Sequence, residues 1–374
     1  MKKNKSIIIT GASGFVGKNL VTKLEENSNL DICKFLRTDN LETLEENIKK
    51  SDIIVHLASE IRPQNKILFD KNIALARNIC CEIEKYKKSK PIIFLSSISS
   101  SPKAPLNSYE RSKFEVENFF TQFSNKTKNP LLIYRPPGLF GKWSKPNYNS
   151  VVSTFCYNIA NGLPIRVHDP RREISLVYID DLVDQIIASI KGTFEGVSYP
   201  VIENIYKTNL QELADCIATF ETGRQKLFVE NVGADFLRKL YATFLSYLPK
   251  ENFSYEIPQY RDDRGVFLEF IKTKNSGQIS ILSCPPGAIR GQHYHHTKNE
   301  KFIVVLGKAR FRFRHIITNE KYEIETNSKN PRAVDTIPGW AHDITNIGNE
   351  ELIVIIWANE VYDRKNPDTV ACEV

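Results

Sequence analysis

Residues 6–20 read "SIIITGASGFVGKNL": a β-branched run of strand length, a turn holding Gly11, Gly14 and Gly17, and the start of an apolar-periodic segment. Glycines between a strand and a helix allow a tight turn and a close backbone approach, and the helix N-terminus offers unpaired N–H groups to a pyrophosphate. The positions expected to touch a dinucleotide are therefore Gly11, Ser13, Gly14, Phe15, Val16 and Gly17. Glycine spacing alone is a modest signal, but strand and helix context supports it here. Working outward, "DIIVHLA", "PIIFLSS" and "LLIYR" repeat the strand signal up to about residue 220, each followed by a polar segment of longer period. That alternation predicts an α/β Rossmann-like, doubly wound parallel sheet, with Leu57 and Ala58 at a strand end beside the same dinucleotide.

Beyond about residue 260 the pattern changes to "GQISILSC", "KFIVVLGKARFRFRH", "RAVDTIP" and "ELIVIIWANEV", short strands divided by Gly, Pro and Asn turns. These predict an all-β sandwich or barrel. Between the halves, "GADFLRKLYATFLSYLPKENFSYEIP" reads as one amphipathic helix closed by proline and a short linker, which puts the domains at 1–250 and 251–374. Two domains also suit a length of 374 residues.

A 41% hydrophobic and 25% charged composition is ordinary for a globular protein. The net charge of +7 is spread along the chain, which argues against nucleic-acid binding and suits small anionic ligands. The apolar run of "MKKNKSIIITG" stops after three isoleucines, unlike a signal peptide. Nothing approaches the roughly 18 apolar residues of a membrane helix, so a soluble, cytoplasmic protein is expected. The seven cysteines are odd in number and lack CxxC spacing, which excludes a disulfide framework or a thiolate zinc site from the expectation.

"DICKFLRTDN" ends its strand at Arg37, where an acid would commonly take a ribose 2′-hydroxyl. An arginine there pairs with a 2′-phosphate, so NADP(H) is expected over NAD(H), against the plain reading of a solvated surface arginine. After the fourth strand, "NSYERSK" sets Tyr109 and Lys113 at i and i+4 on one helix face. A nearby ammonium is expected to lower the tyrosine pKa, letting Tyr109 exchange a proton with a substrate oxygen while a nicotinamide exchanges hydride. Tyr86 and Lys90 share that spacing but precede the strand, on the wrong side of the sheet.

On these residues the first 220 positions resemble the extended short-chain dehydrogenase/reductase family, most of whose members act on nucleotide sugars. The resemblance implies a hydroxyl at the strand end beside the tyrosine, for which Ser97 and then Ser99 are the candidates. It also implies no dehydration, since the acid pair of the family's 4,6-dehydratases is missing. "RPPGLFGKWSKPNYNS" resembles the family's substrate-side segment, with Gly138 where an asparagine is common. Asn149, Arg171 and Arg172 are candidate diphosphate contacts, and Asp180 and Asp181 are expected to cap the following helix.

"GAIRGQHYHHTKNEKFIVVLG", residues 287–307, resembles the first cupin motif, and "PGWAHDITN", residues 338–346, the second. Two histidines one residue apart project from the same face of a strand, so His293, His295, Glu300 and His342 form a candidate metal set suited to Zn, Fe, Mn or Ni, zinc first. His296 faces away. "AIRGQHYHH" and "DDRGVFLEF" are also similar to metal-free nucleotide-sugar 3,5-epimerases, which implies instead that His293 is a base and that Arg290 holds phosphates.

Over the full chain, the order of the halves resembles capsular-polysaccharide and O-antigen enzymes that fuse an extended reductase to a cupin barrel. The resemblance implies a UDP-linked 4-keto-6-deoxy-N-acetyl-hexosamine substrate, C3 epimerisation in the cupin, then NADPH reduction at C4 to a UDP-N-acetyl-6-deoxy-L-talosamine, by a homodimer. The competing readings are a single-activity ketoreductase braced or dimerised by its cupin, and a non-catalytic redox sensor.

Overall fold

In the computed structural model every residue of strand Ser6–Thr10 is buried. The structure describes residues 5–27, 30–60, 67–86, 88–100 and 107–374. Two units divide the chain: Met1–Ile217 with Lys239–Leu248, and Ala218–Arg238 with Pro249–Val374.

Burial on both faces is why the first strand carries three isoleucines in a row. Ile7 and Ile9 point to one side, where Ile53, Val55, Ile93 and Leu95 join helices Phe15–Asn27 and Ile179–Lys191. Ile8 points to the other, where Ile54, Ile92 and Phe94 meet helices Leu41–Lys50, Ile67–Tyr86 and Ser108–Thr127. The sheet has six strands in the order Asp31–Phe35, Ser6–Thr10, Ile53–His56, Ile92–Leu95, Leu131–Tyr134, Val197–Ser198, all parallel. The first strand therefore has the second on one side and the third on the other. Such a switch point opens a crevice at the carboxyl ends of the strands, and the glycine turn sits there.

The second unit is antiparallel. A six-stranded sheet runs Gln259–Asp262, Gly265–Lys272, Gln278–Cys284, Leu352–Ala358, Glu300–Leu306, Val334–Asp335, and a five-stranded one Lys321–Asn327, Lys308–His315, Trp340–Asn346, Ile289–Tyr294, Val370–Ala371. Alternate residues of both sheets, including Leu282, Phe302 and Val354 from one and Phe311, Phe313 and Ile344 from the other, share one core, as a cupin-like sandwich requires. Asn346 pins the turns at its end: its amide donates to Cys284 O and Glu350 O, both at 2.8 Å, and its Oδ1 accepts from Gly348 N–H.

The division between units is not a single cut. Residues 218–238 join the second unit because Lys272 N–H donates to Leu227 O at 2.7 Å and Val229 N–H to Lys272 O at 2.8 Å. Helix Asp235–Leu245 lies where the amphipathic connector was read. Within the described residues no helix is long and apolar enough to cross a membrane.

Strand Ile289–Tyr294 is irregular. Gly291 lies opposite Asp343 but His293 lies opposite His342, so Gln292 is an extra residue. Gln292 has φ 62 and Gly291 φ 102. A Cβ on Gly291 would sit 2.7 Å from His342 O, so only glycine fits the bulge.

Candidate functional site

The nucleotide end is built at the switch point. Gly11 has φ +72, and a Cβ there would lie 2.7 Å from Ala58 N; one on Gly17 would lie 2.2 Å from Gly11 O. The turn thus packs against Leu57 and Ala58 with no room for side chains. Helix Phe15–Asn27 begins at once, so its first N–H groups face the crevice without carbonyl partners of their own helix. This is a cradle suited to a dinucleotide diphosphate.

His56 closes the floor of the cradle. It shares a 2.8 Å hydrogen bond with Thr10 Oγ1 and stacks on Phe94. Burial first, and the Lys113 charge second, push its pKa down to about 3. Unfolded, it would titrate near 6.5. Between those values the unfolded chain binds a proton that the folded chain refuses, so stability is whole above pH 6.5 and is lost as pH falls toward 3. Thermal melts from pH 7 to pH 4 should fall more steeply for the natural chain than for His56→Asn; parallel slopes would remove this role from His56.

Tyr109 and Lys113 lie in the first turns of helix Ser108–Thr127, whose N-cap Asn107 forms a capping box with Glu110. Lys113 is buried, donates to Leu95 O at 2.8 Å, and is pushed down to about 7 by burial. The expected lowering of the Tyr109 pKa is not what the structure has. Burial, and then the Glu110 charge, push the phenol up to about 12. The reason is that the phenol loses its hydration beside the Glu110 carboxylate, so Tyr109 is a neutral O–H at pH 7. Ser97 Oγ accepts from Ser99 N–H at 3.3 Å, and both precede that helix at the end of the fourth strand. Residues 101–106, between these serines and the helix, lie outside the described residues. The other Tyr-x-x-x-Lys pair is structural: Tyr86 donates to Glu45, and buried Lys90 donates to Lys49 O and Ser51 O at the end of helix Leu41–Lys50.

Arg37 lies two residues past strand Asp31–Phe35, in a turn, exposed, and paired with Glu60 at 2.7 Å. Sequence reasoning missed that partner. Glu60 is itself held by Asn72, whose Oδ1 accepts its N–H at 2.8 Å and whose amide donates to Ser112 on the Tyr109 helix at 2.8 Å.

In the second unit four side chains converge. One ligand atom from each of His293, His295, Glu300 and His342 lies within 4.8 Å of the others. His293 and His342 are opposite in the five-stranded sheet, His295 follows the same strand, and Glu300 opens a strand of the other sheet. His295 Nε2 and His342 Nε2 are buried without a hydrogen-bond partner among the described residues. They lie 3.4 and 3.7 Å from Glu300 Oε2. Burial raises the Glu300 pKa, but His295, His342 and Lys298, the last at 3.2 Å, outweigh it and hold the carboxyl well below its usual range. Burial and the neighbouring imidazoles push His293 down to about 4. Orphaned imidazole nitrogens facing a carboxylate are what a divalent transition cation would satisfy.

Residues 7–203 match the NAD dependent epimerase/dehydratase family, and residues 260–370 the polysaccharide biosynthesis C-terminal domain. A UDP-2-acetamido-2,6-beta-L-arabino-hexul-4-ose reductase of Pseudomonas aeruginosa is 42% identical over 369 residues, 98% of either chain. The crystal structure of the capsular polysaccharide assembling protein CapF from Staphylococcus aureus is similar with a TM-score of 0.90 and 39% identity, covering 99% of this chain and 100% of that one. CapF with the inhibitor 3-isopropenyl-tropolone gives 0.86 and 38% over 99% and 100%. The chain belongs to the NAD dependent epimerase/dehydratase family, in its CapF-type form.

In this CapF-type chain the remaining expected residues are placed less tightly. Asn149, Arg171 and Arg172 are exposed, and no hydrogen bond among the described residues links them to one another. Arg290 is not open: it donates to Asp262 Oδ1 at 2.9 Å and to Arg264 O at 3.2 Å, while Arg264 holds the same carboxylate. Asp180 and Asp181 do not cap their helix. The N-cap is Tyr178, with no side-chain cap bond, and the two acids lie inside the first turn, paired with Lys142 at 2.8 Å and Lys239 at 2.7 Å. They still favour the helix through its dipole. Sequence reasoning also missed Asp368, whose carboxylate takes three backbone N–H groups beside the histidines.

Proposed function

We propose that this chain acts on a UDP-linked 4-keto-6-deoxy-N-acetyl-hexosamine, inverting C3 in the cupin unit and then reducing the C4 ketone with NADPH in the Rossmann-like unit. The observation that carries the reading is the convergence of His293, His295, Glu300 and His342 in a chain whose other unit holds a dinucleotide cradle and Tyr109. The activity for which the Pseudomonas relative is named, reduction of a 4-ulose linked to UDP, supports the substrate class.

When bound, the nicotinamide supplies hydride and a divalent cation, zinc by preference, supplies charge that polarises the C4 carbonyl. The cation would be held by His293, His295, Glu300 and His342. A C4 ketone acidifies the C3–H bond; that proton passes to solvent, the C–H electron pair moving into the C4 oxygen as an enolate, and a solvent-derived proton returns to C3 from the opposite face as the ketone re-forms. Reduction removes the activation and locks the new configuration. At C4, Tyr109 O–H gives its proton to the oxygen that hydride addition charges, and a neighbouring hydroxyl, Ser97 or Ser99, positions that oxygen. Lys113 holds the strand end through Leu95 O. Asn149, Arg172 and Arg290 are the candidate contacts to the diphosphate, which for Arg290 requires Asp262 to share it. Arg37, once released from Glu60, would pair with a 2′-phosphate and select NADPH.

The test is incubation with NADPH and the 4-keto sugar nucleotide in deuterated water, with the product read by NMR. Deuterium at C3 together with a C4 alcohol is expected, and tighter binding of NADPH than NADH. Equal affinity for the two cofactors would remove the role of Arg37. The Pseudomonas relative is named as a reductase alone, which favours a second reading: a ketoreductase braced by its cupin. An alcohol of unchanged C3 configuration without deuterium would select it.

A further inference from the structure

The end of the chain straps the metal-type cluster. Val370–Ala371 pairs with Tyr294 and His293 at the edge of the five-stranded sheet, and Cys372 N–H donates to Gln292 O at 2.9 Å. Just before that strand, Asp368 acts through two groups. Its carboxylate accepts N–H bonds from His296 at 2.9 Å, Thr297 at 2.6 Å and Lys298 at 2.7 Å, and the Thr297 hydroxyl at 3.0 Å. Its main-chain carbonyl lies 2.5 Å from His295 Nδ1.

A carbonyl oxygen only accepts, so Nδ1 of His295 carries the hydrogen, and the ring's one site for a cation is Nε2. Nε2 is the buried, unpartnered atom facing Glu300. Residues 296–298, whose N–H groups the carboxylate gathers, are the loop that sets the spacing between His295 and Glu300. One residue therefore fixes both which nitrogen His295 presents and how far it stands from the carboxylate.

We infer that Asp368 is a positioning residue for cation binding: by setting the His295 tautomer and the 296–298 loop, it makes the C-terminal strap determine how tightly the four donors hold a divalent cation. This rests on the proposal that the four donors bind metal. Outer partners of metal-bound histidines commonly change affinity about 10- to 100-fold when removed, and the geometry places Asp368 in that position.

The experiment uses the full chain, stripped with a chelator and titrated with zinc against a chromophoric competitor. The natural chain should bind one zinc, and Asp368→Ala should bind it about 10- to 100-fold more weakly with unchanged circular dichroism. Nitrogen-15 spectra of the stripped protein should show His295 with its hydrogen on Nδ1 in both chains, because Asp368→Ala keeps the carbonyl, but with faster exchange of that hydrogen in the variant as residues 296–298 loosen, while exchange elsewhere in the unit is unchanged, a difference that mere loss of stability does not produce. Asp368→Asn keeps one acceptor oxygen for the loop and should weaken zinc less; it decides by the same two readings should the alanine variant fail to fold. Zinc affinity within twofold of the natural chain and an unaltered His295 signature overturn the inference while leaving the metal reading intact. Failure of the natural chain itself to bind zinc overturns the metal reading, and the inference with it.

Discussion

Tyr109→Phe should abolish C4 reduction while C3 still takes up deuterium from solvent. The substitution keeps the ring that packs in the first turns of helix Ser108–Thr127 and removes only the O–H. Burial and Glu110 push that phenol up to about 12, so at neutral pH essentially every molecule carries the proton to be donated. Its loss removes general acid help worth roughly 10²- to 10⁴-fold in rate. Nothing in the cupin cluster depends on it, because His293, His295, Glu300 and His342 all belong to the other unit. NADPH oxidation followed by absorbance reads the first effect, and NMR of the recovered ketone the second. Reduction near the natural rate would remove Tyr109 from the mechanism; simultaneous loss of exchange would argue that the two chemistries share a site.

His342→Ala should do the reverse. His342 is buried, lies opposite His293 in register, and turns an unpartnered Nε2 toward Glu300. Taking away one of four donors should weaken zinc by more than the ~100-fold that outer partners reach. Deuterium uptake at C3 should then disappear, whereas a ketone already carrying the inverted C3 should still be reduced. Metal content after dialysis and the same NMR assay report the two halves of the prediction. Full C3 exchange in a zinc-free variant would assign the proton transfer to a base acting without metal, the role that similarity to the 3,5-epimerases implies for His293.

The fold was legible wherever burial dictates composition. Strands covered on both faces carry unbroken apolar runs, and the isoleucines of "SIIIT" and "DIIVHLA" say so directly; in the sandwich burial alternates along Gln278–Cys284, yet Gln278 and Ser280 take buried positions while Ile279 and Ile281 are half-buried. The metal-type donors were legible because their residue types are rare and their spacing is short. What the sequence hid was set by tertiary surroundings. How far Tyr109 is buried depends on what packs around its helix, and that burial reversed the expected direction of the tyrosine shift. Arg37 looked open because Glu60, its partner, is distant in sequence. Asp180 and Asp181 were read as caps, but the helix already starts at Ile179, before either of them. Asp368 had no sequence signal, since half of its action passes through a main-chain carbonyl that any residue would carry.

One irregularity governs which side chains can meet at all. In an unbroken strand, positions an odd number apart face opposite ways, so Arg290 and His293 ought to be strangers. The additional residue at Gln292 resets the parity: Arg290 stands across from Ile344 and His293 across from His342, two positions of one strand that share a side. A basic side chain and a metal-type donor are thereby put on one side by a single inserted peptide, and only deletion of a residue such as Gln292, not replacement of one, would return the two to opposite sides.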